Sequence, residues 1–265
     1  MVVVNVLAFD TCSDACTVAL KRDDRVFVDH RVASQQHAQL LLPMISALLE
    51  EAALTPPELD ALVVGRGPGS FTGVRIGIAA GQGLALGTGA GVVPVSTLLA
   101  VAEACRRAAT EQLQPAPSHV LAVIDARMQE VYALLTRIEG DRLVPLSEEM
   151  VLPPAALAGR LVVEHDSGVP HINEFPWPAG ELVIGGSGAA LYADLLEASL
   201  GIDSAHNLGE FLPEASDLLT LATDTLDKGA LLPAEALQPV YLRDKVADTM
   251  AEQAAGRSAG RAHAK

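Results

Sequence analysis

Aromatic residues make up only 3% of the 265-residue sequence, with a single tryptophan. So few rings leave little on which nucleobases could stack. Positive charge is scarce as well: 18 lysines and arginines face 33 aspartates and glutamates, a net charge of −15. Three of those bases (Arg257, Arg261, Lys265) lie in the last nine residues, which hold no acid. The rest of the chain sets 15 basic against 33 acidic side chains, a net of −18. Proteins grip nucleic acid chiefly through basic contacts to phosphate, so strong direct binding is not expected of this body. No run approaches the ~18 apolar residues that span a bilayer. The start, MVVVNVLAFD, has no basic region before its apolar stretch and reads as a first strand rather than a signal peptide. Cys12, Cys16 and Cys105 are an odd set without metal-type spacing, and reduced thiols of a cytoplasmic chain are expected. None of the seven histidines lies three or four residues from another, so no helical metal pair forms.

What is abundant is apolar: half of all residues, enough for a sizeable core. VNVLAF (Val4–Phe9) reads as a buried strand ending at Asp10, and CTVALKRDDRVFVDHRV as a hairpin turning at residues 22–24. Leu41, Met44, Ile45, Leu48 and Leu49 mark a helix, with Pro43 in its first turns or at a kink. The strand LDALVVG, a helix over about residues 73–87, the strand GVVPVS and a helix over about residues 98–109 complete a first unit. The second half repeats that order more loosely. HVLAVID ends in Asp125, EVYALLTRIEGDRLVPL turns at residues 139–141, a short helix follows near residues 154–160, and LVIGGSGAALYADLLEA gives strand, turn and helix. Two such units in tandem are the pattern of a duplicated actin-like (ribonuclease-H-type) α/β fold. The expected layout is a subdomain over 1–110, a second over 111–246, and a disordered tail over 247–265. Glu164–Gly180 reads as a long loop.

Between strand and helix lies VVGRGPGSFTGVRIG (Val63–Gly77). It is not a P-loop, because no lysine follows its glycines, and Gly65, Gly67 and Gly69 are too evenly spaced for a dinucleotide fingerprint. Gly69, Gly73, Gly77 and Gly81, then Ala85 and Gly89, recur every four residues. On a helix this makes one nearly bare ridge. Each interior glycine costs about 0.5–1 kcal/mol against alanine, so a compensating close approach is expected. Either the helix is pressed on its own sheet or the ridge meets a neighbouring molecule; the second is the working expectation, with the amphipathic His37–Leu49 helix beside it. Asp10 sits where actin-like ATPases place a magnesium-orienting carboxylate, but Cys12 stands where a glycine would admit phosphate. A structural cap on the turn is the favoured reading of Asp10, and a local pair with Arg127 that of Asp125. Ser70, within GSFTG, lacks the G-x-S-x-G elbow and an obvious histidine partner.

LAFDTCSDACTVAL, HAQLLLPMI, GRGPGSFTGVRIG, DARMQEVY and PVYLRDKVA together resemble the TsaB (YeaZ) family over about residues 4–247. The resemblance implies a non-catalytic accessory subunit of the machinery that makes threonylcarbamoyladenosine beside the anticodon of tRNA. It implies an actin-like fold with a degenerate nucleotide site, and as partners the catalytic paralogue TsaD, the small ATPase TsaE and a second copy of the chain. It further implies no cofactor on this chain alone, with ATP and magnesium used by the complex. Carried onto this sequence, the partner interface falls on His37, Leu41, Met44, Leu48, Gly73, Arg75, Gly77 and Gly81. The vestigial nucleotide positions are Asp10, Thr11, Gly65, Gly67, Gly185 and Gly186. Two rivals stand beside it: an active actin-fold ATPase or kinase using Asp10 and the loops at Gly65–Gly73 and Gly185–Gly188, and a glycoprotease-like peptidase using Ser70.

Overall fold

In a computed structural model, residues 5–161 and 180–243 are described. The expected loop at Glu164–Gly180, except for its last residue, and the expected tail from residue 247 lie outside them.

The first sheet has the order β3-β2-β1-β4-β5, built from β1 (Asn5–Asp10), β2 (Ala15–Arg22), β3 (Arg25–Val32), β4 (Ala61–Gly65) and β5 (Gly91–Val95). β1 runs antiparallel to β2 and parallel to β4. The central strands are buried on both faces, which is why they read as unbroken apolar runs rather than as alternating ones. The edge strand β3 carries Arg25, Asp29, His30 and Arg31, charges that discourage pairing with another chain. Helices α1 (His37–Glu51) and α2 (Phe71–Thr88) cover one face. Pro43 lies inside α1 on its exposed side. Ser70 caps the N-terminus of α2, and Gly89, at φ +78°, ends it in the left-handed conformation.

After α3 (Thr97–Gln112) the second sheet follows: β6 (His119–Arg127), β7 (Glu130–Glu139), β8 (Arg142–Pro145), β9 (Met150–Leu152) and β10 (Leu182–Gly185). Its order β10-β6-β7-β8 repeats β4-β1-β2-β3 of the first sheet; its fifth strand, β9, pairs with β7, and no strand among the described residues takes the place of β5. An isolated parallel bridge between Ile184 and Asn207 marks where that strand would run. The short helices α4 (Leu157–Arg160), α5 (Ser187–Leu191) and α6 (Ala193–Leu200) cover its outer face.

A last helix, α7 (Ala215–Asp227), was not foreseen from the sequence, although Ala215, Leu218, Leu219, Ala222 and Leu226 recur at helical spacing. It packs on the face of the first sheet opposite α1 and α2, while α3 packs on the inner face of the second sheet and against α7. The result is five layers, α1α2 / sheet / α7α3 / sheet / α4α5α6, the actin-like arrangement that the duplicated pattern implies. Among the described residues no helix is long and apolar enough to cross a membrane.

The α3–α7 seam carries buried charge. Arg107 reaches Asp217 at 3.2 Å and Glu214 at 3.4 Å. Burial pushes the Asp217 carboxyl up to about 6, with Arg107 opposing and the neighbouring Glu214 and Glu103 adding to the rise. A carboxyl raised on folding binds its proton more tightly in the native state, so its stabilising contribution is present below about pH 4 and lost as pH rises towards 6. The Asp217→Asn chain should therefore gain on the native chain across that interval, by about 2–3 kcal/mol once pH 7 is reached. Urea unfolding of both proteins between pH 4 and 7.5 measures this; a constant difference would contradict it.

Candidate functional site

Two regions bear on function: the turn after β1, where an actin-like ATPase would hold its nucleotide, and the α1–α2 layer.

Asp10 ends β1 with no solvent exposure. Its Oδ1 accepts the Cys12 N–H at 2.6 Å and its Oδ2 accepts the Thr97 hydroxyl at 2.7 Å. Burial raises its carboxyl above the ordinary value, and these donors pull the other way. On the remaining side stands Gly65, where any Cβ would overlap the carboxylate. With both oxygens engaged by its own chain, Asp10 is a cap on the turn, as the sequence reading favoured.

The turn itself closes on the glycine loop. Ser70 N–H donates to the Cys12 carbonyl at 2.7 Å, and the Thr11 hydroxyl donates to the Gly73 carbonyl at 2.7 Å. A Cβ at Gly69 would overlap the Cys12 carbonyl, and one at Gly73 would overlap that of Thr11. At Gly77 it would lie 2.7 Å from the Thr11 Oγ1, and at Gly81 2.6 Å from a methyl of Leu237. The glycine ridge is thus filled by the chain's own turn, β4 and the segment after α7. This corrects the expectation that it is bare to a neighbour. The correction extends to the residues carried over as interface: His37, Leu41, Met44, Leu48, Gly73, Gly77 and Gly81 are all buried within the chain. Arg75 alone of those eight is exposed. His37 directs Nε2 to the Ala15 carbonyl at 3.2 Å and serves the fold.

The outward side of α1 and α2 is made of other residues. Leu42 is 54% exposed and Leu86 71%, with Ala38, Pro43 and Ala79 exposed around them. Gly83 and Gly87, also outward, have nothing within 4 Å of a built Cβ. Two neighbouring helices therefore present a smooth, small-residue and leucine surface.

Between the two sheets opens a cleft of about 1410 Å³, lined among others by Ser13, Asp14, Ser70, Arg75, Asp125, Arg127, Ser187 and Tyr241. Asp10, Thr11, Gly65 and Gly67 are not on its wall. Gly185 and Gly186 are not either: a Cβ there would overlap the Cys105 sulfur and the Val123 carbonyl, so both serve packing between α3 and the second sheet. Asp125 pairs with Arg127 at 3.0 Å, the local arrangement foreseen for it. Ser70 Oγ accepts the Gly73 N–H at 3.4 Å as a helix cap. Among the described residues no three of His, Cys, Asp and Glu cluster to hold a metal. Sequence reasoning missed Arg66, whose guanidinium grips Glu149 of the other sheet's unit at 3.0 and 3.1 Å. Only its position inside the GRGPGS stretch drew attention to it.

The glycines divide by environment, and stability should divide with them. Gly83→Ala removes backbone freedom without meeting any atom and should stabilise the chain by about 0.5–1 kcal/mol. Gly73→Ala forces the Thr11 turn away from α2 and should destabilise it by about 2–3 kcal/mol. Chemical denaturation of the two variants gives the comparison; equal effects would contradict the inward ridge.

The family model described as "TsaD: tRNA N6-adenosine threonylcarbamoyltransferase" matches residues 28–251. The tRNA threonylcarbamoyladenosine biosynthesis protein TsaB of Escherichia coli is 36% identical over 246 residues, 92% of this chain and 96% of the relative. The protein of that name from Haemophilus influenzae is 33% identical, with 92% and 95% covered. Among solved structures, YeaZ from Pseudomonas aeruginosa superposes with a TM-score of 0.70 at 34% identity, covering 90% of this chain and all of the other.

Proposed function

Because the chain belongs to the TsaB (YeaZ) family, we propose that it is the non-catalytic subunit of a tRNA threonylcarbamoyladenosine biosynthesis complex. In this reading it dimerises with the catalytic paralogue TsaD and activates it, alongside the small ATPase TsaE. The near full-length match to proteins named for this pathway supports the pathway assignment. The observation that supports the non-catalytic role is Asp10: the carboxylate that an actin-like ATPase would turn towards magnesium is buried, with both oxygens engaged by Cys12 and Thr97. The acidic body agrees with a subunit that leaves tRNA to its partner. ATP and magnesium then belong to the assembled complex rather than to this chain alone.

The docking surface we assign is the outward face of α1 and α2, centred on Leu42 and Leu86. Apolar, small-residue helix faces pack closely against a second helix pair, and the same face can serve a second copy of this chain. Leu86→Asp places a charge in the middle of that seam. We expect it to weaken association with the paralogue at least thirtyfold, and to lower tRNA modification in a reconstituted system at limiting protein to the level seen without this chain. Its own thermal unfolding should be unchanged. Sedimentation velocity with the purified paralogue reads the first effect, and native affinity in the variant would remove the face from the account.

A further inference from the structure

Arg75 stands out on the exposed side of α2. Its guanidinium lies 3.7 Å above the Phe71 ring and 5.7 Å from the centre of the Tyr241 ring, and its Nε donates to the Tyr241 hydroxyl at 2.9 Å. No carboxylate among the described residues pairs with it, in a protein where acids outnumber bases. An exposed arginine is ordinarily a mobile chain. This one lies against two rings and a hydroxyl, and among the described residues its two terminal nitrogens donate no hydrogen bond.

The clamp is itself anchored. Tyr241 sits on a segment tied to the first sheet's unit by Val240 N–H to the Arg66 carbonyl at 2.9 Å, and by Gln82 Nε2 to the Leu237 carbonyl at 2.8 Å. Beyond it, Arg243 pairs with Glu130 of the second sheet. Phe71 is 44% exposed and Tyr241 46%, and Met128 and Leu191 stand exposed on the opposite wall of the cleft. Aromatic, Met and Arg side chains are the types enriched at protein interfaces.

We propose that Arg75 is a preorganised receptor for a carboxylate side chain of the partner protein, seated where the α2 face meets the mouth of the cleft. The inference rests on the docking face of the preceding section and deepens it. The two terminal nitrogens of a guanidinium match the two oxygens of a carboxylate, and a fixed pose lowers the entropy lost on binding. A protein acid is favoured over an RNA phosphate because the other arginines of the cleft, Arg127 and Arg243, are already paired with Asp125 and Glu130, and the body repels polyanions.

The test uses the full chain, the purified paralogue and purified tRNA, with affinities measured by calorimetry at 50 and 300 mM salt. Arg75→Ala should weaken binding to the paralogue roughly thirtyfold at low salt and flatten its salt dependence. Arg75→Lys should recover only part of the loss, and Tyr241→Phe, which removes only the hydroxyl, should fall between the native chain and Arg75→Ala. A purely structural role for Arg75 would not move the salt dependence. Should Arg75→Ala misfold on heating tests, the Lys and Phe variants decide by the same criteria. Unchanged affinity with the paralogue overturns the receptor, as does a loss confined to tRNA. If Leu86→Asp abolishes binding while Arg75→Ala does not, the docking face stands and the receptor falls. If Arg75→Ala weakens binding and Leu86→Asp does not, the receptor stands and the face is misplaced. If neither matters, both fall.

Discussion

The turn after β1 and the N-terminal half of α2 are locked together by backbone contact, and most of what distinguishes this protein follows from that lock. Thr11 donates its hydroxyl to Gly73, Ser70 donates its amide to Cys12, and glycines at 69, 73 and 77 make room for the approach. Gly73 and Gly77, inside α2, weaken the helix on their own account, by the absence of a side chain and by added freedom in the unfolded chain. Buried hydrogen bonds and close packing against the turn offset that cost. The same lock draws Asp10 into the interior, where Thr97 and Cys12 hold its oxygens and burial raises its carboxyl. In this geometry the duplicated actin-like fold keeps its sheet, while the carboxylate at the end of β1 faces its own turn rather than the cleft between the sheets.

With the inner face of α2 committed to the turn, its outer face is free of structural duty, and so is that of α1. Leu42, Ala79, Gly83 and Leu86 make no call on the core. At one end of this surface the Phe71–Arg75–Tyr241 cluster adds a fixed positive charge. The segment carrying Tyr241 runs from α2 to the second sheet, and Arg66–Glu149 joins the two units as well. The outward helix face, which we propose for docking, is thereby attached to both halves of the molecule rather than to one.

Much of this was readable in the sequence. The buried strands, the hairpins at residues 22–25 and 139–142, α1, α2 and α3 all follow from apolar runs, turn residues and helical spacing. The cap role of Asp10 followed from Cys12 standing where a glycine would be needed. The direction of the glycine ridge did not follow, because four-residue spacing defines a stripe without saying which way it faces. The signal that would have settled it is Val74 and Ile78, which flank the ridge, and Ala85, which continues it; all three belong to the core. The apolar stripe of α1 was assigned to a partner for a similar reason. Leu41, Met44 and Leu48 form the ordinary core-facing side of an amphipathic helix, and the outward side, the one proposed for docking, is less apolar. Helix α7 had the spacing but follows a stretch with no strand before it, so the repeat pattern gave no place for it. Tyr241 meets Arg75 across 166 residues, a pairing that local pattern does not reveal.

The central claim is that the buried carboxylate holds a turn and performs no chemistry. Asp10→Asn keeps an oxygen for the Cys12 amide and an amide group that can meet the Thr97 hydroxyl. The decisive measurement is formation of threonylcarbamoyladenosine on tRNA by the reconstituted complex, with this variant in place of the native chain and its fold and paralogue affinity verified. The account predicts turnover equal to that of the native complex. Turnover abolished in a folded, partner-binding Asp10→Asn chain would contradict it and return Asp10 to the active machinery.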